Sequence, residues 1–404
     1  MKYFILFLIA STFFITHTFG QGYTSISGRV LDAQTQKPLV GMYLEIPAKG
    51  TWTSSIGILS DENGHFALKF PTVLLANAVL KSTKVGYQTQ EQSLATMKEK
   101  KDSLVIVAVK QPLVRYDSLD VRRVVNSAMA RMETLYPVNP YWLTGFYRES
   151  LRFDDTLVKI TEGVLKIEKT PAPEKGTEGE YIKLLRGRRF EKEDRLEEWE
   201  SLGFGNSAAL VTRSLETKLP DFLEPAVARN YQFFTERYLT YYEGNPVFTI
   251  RFAPQDRRVK GGKIGQMLVD TVSLGILSIT YEFTPEGLKD VMKAAIIGSG
   301  NFVTEMKAFT VTQRYHQTQG LYYLQEAHLG VALANRKDKK VIPAIIGIDF
   351  YATEVNSRLS THLKDNELIG DTLFPKAVLY QDNFWLNFNF LKLEDKLKSF
   401  FLKK

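Results

Sequence analysis

Ser27-Gly-Arg-Val-Leu-Asp-Ala-Gln-Thr-Gln-Lys-Pro-Leu-Val-Gly41, followed by Ser60-Asp-Glu-Asn-Gly-His-Phe-Ala-Leu68 and by Val85-Gly-Tyr87, decides how the N-terminal part of this chain folds. Ile26, Gly28 and Val30 alternate with polar neighbours, and Val40, Met42, Leu44 and Ile46 form a second alternating run beyond the Lys37-Pro38 turn. A period of two sends successive side chains to opposite faces, so each run reads as a strand with one face to bury. Asp61-Glu-Asn-Gly64 reads as a turn whose glycine supplies a positive φ, and it launches Phe66, Leu68 and Phe70 onto one face. Residues 79–87 and 104–109 add strands, and Pro112 closes the unit. Short one-faced strands separated by turns predict a β-sandwich over residues 22–112.

Upstream, the single cation Lys2 precedes a mostly apolar run at 3–15 and the small or polar group at 16–20, the pattern of a secretory signal peptide over residues 1–20. The run is shorter than the roughly 20 residues of a membrane-spanning helix, so cleavage near Gly20 or Gln21 is expected, with export to the periplasm or the outer membrane. Cysteine is absent from all 404 residues, which excludes disulfides, thiol nucleophiles and thiolate metal sites. The composition, 44% hydrophobic and 24% charged, is that of a globular protein with room for two domains. The formal charge of +7, or +6 without Lys2, is spread among interspersed acidic and basic residues and does not point to nucleic acid.

Downstream, residues 117–135 change to helical spacing, with Leu119, Val121, Val124, Val125, Ala128, Met129 and Met132 in one stripe that ends before Pro137. This predicts an amphipathic connector helix within 113–137 whose stripe packs on the next domain. From 138 to 404 strand signals dominate, at 143–152, 157–166, 238–252, 263–271, 275–284, 302–317 and 321–332, with a hairpin around Ser273. A helix is expected at 208–219 after an acidic loop at 191–200, and a basic amphipathic tail at 393–402.

The pattern Gly28-x-Val30, Asp32, Thr35, Pro38-Leu39-x-Gly41, then Gly64-x-Phe66, then Gly86-Tyr87 resembles the carboxypeptidase regulatory-like domain, a transthyretin-like sandwich common in envelope proteins of Bacteroidota. Met42 departs from it, since a small residue is usual there. Thr144-Gly-Phe-Tyr-Arg-Glu149, Phe248-Thr-Ile-Arg-Phe252 and Gly262-Lys-Ile-Gly-Gln-Met-Leu-Val-Asp270 are similar to the large β domain that follows this sandwich in uncharacterised envelope proteins, and the order of strands looks like the half-barrel of outer-membrane lipoprotein carriers. The resemblance implies a mainly β protein, an Ig/transthyretin-like sandwich followed by a larger antiparallel β-rich domain with a few helices, and a sandwich that is not itself catalytic.

Candidate chemistry is sparse. A zinc peptidase needs imidazole and carboxylate ligands at close spacing, and His65, His316, His328 and His362 are each isolated in sequence. Gly205-Asn-Ser-Ala-Ala209 has the outline of a nucleophile elbow but lacks the buried strand before it. Lys260-Gly-Gly-Lys263 and Gly298-Ser-Gly300 lack the spacing of a phosphate loop and read as hairpin turns. Asp61, Asn63 and Gly64 share part of a calcium-loop spacing but serve a turn equally well. Arg186-Gly-Arg-Arg189 beside the acidic 191–200 run reads as a solvated surface.

Arg148 and Glu149 are the best polar candidates for ligand or partner contact, although on a regular strand they point to opposite faces. The expectation is therefore an exported, non-enzymatic accessory or binding protein without a cofactor. Its partner would be an apolar or glycan-like ligand, a lipid, or an outer-membrane protein. The alternatives are a hydrolase with a dispersed site in the second domain and a small outer-membrane β-barrel.

Overall fold

The computed structural model describes residues 22–47, 56–97, 104–116, 119–154, 156–171, 180–191, 207–294, 303–337 and 340–357. The expected signal segment, the nucleophile-elbow residues 205–206, Gly298-Ser-Gly300, His362 and the C-terminal tail lie outside them. The protein is mainly β, with large antiparallel sheets and few helices.

The first seven strands are β1 (Tyr23–Asp32), β2 (Tyr43–Ile46), β3 (Ile56–Leu59), β4 (His65–Pro71), β5 (Val79–Thr83), β6 (Gln90–Ser93) and β7 (Leu104–Ala108). They form two sheets, β4-β1-β7 and β3-β2-β5-β6, in which only β1 and β7 run parallel. Val30, Leu44, Phe66, Leu68, Phe70, Leu80 and Ile106 fill the space between the sheets, and Met42 is part of that core. The Asp61 turn forms as the residue types require, with the Asp61 carboxylate accepting from the Asn63 and His65 amides. Asp32 likewise closes its turn by accepting from the Thr35 amide, and Tyr87 reaches back to it at 2.8 Å. The Thr35 amide and then the Tyr87 hydroxyl hold the Asp32 carboxyl down at about 2.

Two glycines in this unit are required by geometry. Gly64 has φ +73°, and a Cβ there would sit 2.4 Å from the Val30 carbonyl oxygen, while one on Gly28 would sit 2.2 Å from that of Leu104. Gly64→Ala is expected to cost about 1–3 kcal/mol through the left-handed backbone and the clash together. Urea unfolding checks this, and a loss under about 0.5 kcal/mol would show that the turn relaxes freely.

The remaining strands are β8 (Val114–Arg115), β9 (Tyr141–Phe153), β10 (Thr156–Lys169), β11 (Glu180–Glu191), β12 (Tyr231–Thr235), β13 (Tyr238–Tyr242), β14 (Asn245–Pro254), β15 (Lys263–Asp270), β16 (Ile276–Phe283), β17 (Val303–Thr318), β18 (Leu321–Lys337) and β19 (Lys340–Asn356). They build one 12-stranded sheet in the order β11-β10-β9-β19-β18-β17-β16-β15-β14-β13-β8, with β12 on β14. One face of this sheet is covered. Val124, Val125 and Ala128 of the helix Val121–Ala130, Ala208 and Val211 of the helix Ser207–Thr212, and Leu288 of the helix Pro285–Ala294 pack there against residues such as Tyr147, Ile250, Ile346 and Phe350.

Several expectations are corrected. The connector begins as strand β8 on β13, becomes helical only at Val121 after the Asp120 cap, and is interrupted at Arg131 before a last turn at Met132–Leu135. The helix expected at 208–219 stops at Thr212, because Lys169 takes the Thr212 carbonyl and the side chains of Ser214 and Thr217 bond within a polar loop. The expected strand at 238–252 is a hairpin. Glu243 and Gly244 both adopt positive φ, the pairing that a two-residue turn between twisted strands demands.

Candidate functional site

The face of the large sheet opposite its helices carries a transverse row of charges. Arg188 on β11 pairs in register with Glu162 on β10, Glu162 with Arg148 on β9, Arg148 with Asp349 on β19, and Asp349 with His328 on β18. Directly paired residues on one face have Cβ atoms about 5 Å apart, so alternating signs place each charge against its opposite. Glu162 is fully buried and receives Arg148 at 2.8 Å and Arg188 at 2.5 Å. The row continues through His328, which meets Asp349 at 2.6 Å and also Glu326, to Arg314 on β17, 2.6 Å from the second Glu326 oxygen.

The electrostatics follow from these contacts. Burial would lower the His328 ring, but Asp349 and Glu326 outweigh it and lift it to about 9. Burial would raise Glu326, but His328 and Arg314 outweigh it and hold the carboxyl at about 2. At neutral pH His328 is therefore a cation and Glu326 an anion. A general acid or base works best when its pKa lies near the operating pH, and neither His328 nor Glu326 meets that condition.

The sandwich roofs this face. The Gly86 amide donates to the Tyr241 carbonyl at 2.6 Å, Lys81 reaches Glu243 at 3.1 Å, and His316 of β17 sits between Glu243 and Glu45 of β2, the latter at 2.9 Å. Tyr43 packs its ring 5.5 Å from that of His316. These contacts explain why every residue of β2 is buried, including Tyr43 and Glu45, whose alternation had suggested an exposed face. Burial pulls the His316 ring down, but Glu45 and Glu243 together raise it to about 9.

Beside this junction the two units enclose a cleft of about 400 Å³. Val40, Gly41, the Leu59-to-Asn63 turn and Lys84 form the sandwich side, and Arg148, Arg314, Glu326, His328, Asp349 and Tyr351 form the sheet side. Arg148 thus lines the cleft, with its guanidinium 5.1 Å from the Phe146 ring. Glu149 lies on the opposite, helix-covered face and accepts from Tyr147 at 2.7 Å, so the two sequence candidates do not share a site.

Arg188, expected in a solvated run, is only 3% exposed, because its strand finds Glu162 across the sheet. Lys260 to Lys263 form a turn with Gly261 at φ +62°, and Lys263 is paired with Asp221 at 2.7 Å. His316 and His328, isolated in sequence, each meet two carboxylates in space. Among the described residues no group of three or more His, Asp or Glu is arranged to hold a metal ion. Glu162, Glu326 and Asp349 were missed. The available signal was a charge set inside an otherwise apolar strand, as in Ile346-Gly-Ile-Asp-Phe350 and Ile160-Thr-Glu-Gly-Val164.

No family model and no curated protein matches the chain. Among solved structures, a DUF1329 family protein from Desulfovibrio piger is similar over 61% of this chain and 96% of that one, at 10% identity and a TM-score of 0.25. A likeness of that size has no bearing on the function.

Proposed function

We propose that this is an exported, non-enzymatic envelope binding protein that takes a glycan-like ligand in the cleft between its sandwich and its large sheet. The observation that carries the reading is the cleft itself: about 400 Å³, with hydrogen-bonding groups on its sheet side, Arg314, Glu326, His328 and Asp349, already held in place by one another. Such a volume suits a small ligand, and preorganised polar groups supply specificity without ordering cost. Export is supported by the pattern at residues 1–20 and by the resemblance of residues 24–110 to an envelope sandwich.

An apolar ligand would need the helix-covered face, which is filled by packed aromatic and aliphatic side chains. An outer-membrane barrel would turn an apolar band toward lipid, whereas the apolar face of this sheet is covered by helices. The charge row lends the hydrolase alternative no support, since His328 is held at about 9 and Glu326 at about 2, away from the neutral range in which a general acid or base works best.

Asn63 provides the test. Its backbone is engaged by Asp61 and Arg29, but among the described residues its side-chain amide makes no hydrogen bond, so it is available to a ligand. Isothermal titration with a panel of mono- and oligosaccharides is expected to find a binder that Asn63→Ala weakens about three- to tenfold, with unchanged melting temperature. A panel in which nothing binds, or a binder indifferent to Asn63→Ala, contradicts the assignment.

A further inference from the structure

We infer that the ligand carries an acidic group, a carboxylate, sulfate or phosphate on a saccharide, and that Lys84 is its counter-charge. The inference rests on the cleft reading above and adds the ligand's charge. Lys84 follows β5 on the sandwich side and is half-buried, with its Nζ 3.4 Å from the Gly41 carbonyl oxygen. Lys81, Lys169 and Lys263 each reach a carboxylate, at 3.1, 2.5 and 2.7 Å. Lys84 forms no such pair among the described residues.

Its surroundings oppose its charge. Burial, and then the like charge of Arg314 across the cleft, press its pKa below the usual lysine value. Glu326 pulls the other way, but its two oxygens are already taken by His328 and Arg314. A partly desolvated cation facing a second cation destabilises the free protein, and because Arg314 already holds Glu326, it is Lys84 that an anionic group in the cleft would satisfy. Because Lys84 belongs to the sandwich and Arg314 to the sheet, such a ligand would bridge the two units.

The test is isothermal titration of the full chain, at pH 7, with glucose, glucuronate, glucose 6-phosphate and inorganic phosphate, alongside Lys84→Met and Lys84→Arg. An acidic sugar is expected to bind at least about tenfold more tightly than glucose. Lys84→Met should weaken the acidic sugar about ten- to a hundredfold, leave glucose within about twofold, and not lower the melting temperature, while Lys84→Arg keeps the preference. Equal affinity for glucose and both acidic sugars, an equal loss for all of them in Lys84→Met, or a lowered melting temperature overturns the role of Lys84. Inorganic phosphate binding as tightly as glucose 6-phosphate overturns the saccharide class. If no probe binds, the cleft reading itself fails, which separates that failure from the loss of charge preference alone.

Discussion

Glu162→Gln is expected to destabilise the protein by about 3–5 kcal/mol, the largest effect of any single change at the charge row. Glu162 has no exposure, and both of its oxygens are committed to arginines, one from each neighbouring strand. Removing its charge leaves two guanidiniums in a low-dielectric setting. Arginine cannot relieve that cost by giving up a proton, as a buried lysine or histidine could. The exposed pair Arg258 and Asp256 serves as the control, where Asp256→Asn should stay within about 0.5 kcal/mol. Urea unfolding should show a lowered midpoint at unchanged slope for Glu162→Gln. A loss below about 1 kcal/mol would mean that the row does not hold β9, β10 and β11 together.

Stability is expected to peak between about pH 4.5 and 6.5 and to fall on the alkaline side by an amount of the order of 3 kcal/mol for His316 alone. The His316 ring stands at about 9 in the folded protein against 6.5 as the ordinary value. A raised histidine contributes its full share below 6.5 and loses it as pH climbs toward 9. His328, also raised to about 9, adds to the same limb. Glu326 acts oppositely: held at about 2 against 4.5, it contributes fully above 4.5 and loses its share as pH falls toward 2.

Because His316 joins β17 to Glu45 on β2, the alkaline limb should also loosen the sandwich from the sheet. Calorimetry from pH 5 to 9.5 on the full chain and on His316→Gln checks both statements. The variant should start lower and show a flatter alkaline limb. A melting temperature that stays level or rises between pH 6.5 and 9 contradicts the pairing.

The sandwich was legible because its determinants are local. Turn chemistry at Asp32 and Asp61 and the period of two from Phe66 to Phe70 are each written within a few residues, and the structure realises them. The long strands β9, β10, β17 and β18 were legible in type for the same reason. What could not be read was non-local. Arg188 sits in a run of charges, and only its register against Glu162 buries it while Arg186 stays exposed. His316 and Glu45 are 271 residues apart, and no pattern in either neighbourhood announces the pair.

The candidate site was legible only at Arg148. Glu149, its neighbour in sequence, belongs to the other face, while the groups that complete the cleft come from the turn after β3, from Lys84 and from the charged positions of β17, β18 and β19. Lys84 stands immediately before the Val85-Gly86-Tyr87 motif. In the structure that motif docks the sandwich through the Gly86 amide, which brings Lys84 into the cleft opposite Arg314.

The most direct measurement is a crystal structure of the full chain grown with the tightest saccharide from the titrations. Density for the sugar between Lys84 and Asn63 on one side and Arg314 and Asp349 on the other is the predicted result. Density on the helix-covered face, or an empty cleft at saturating ligand, would contradict it.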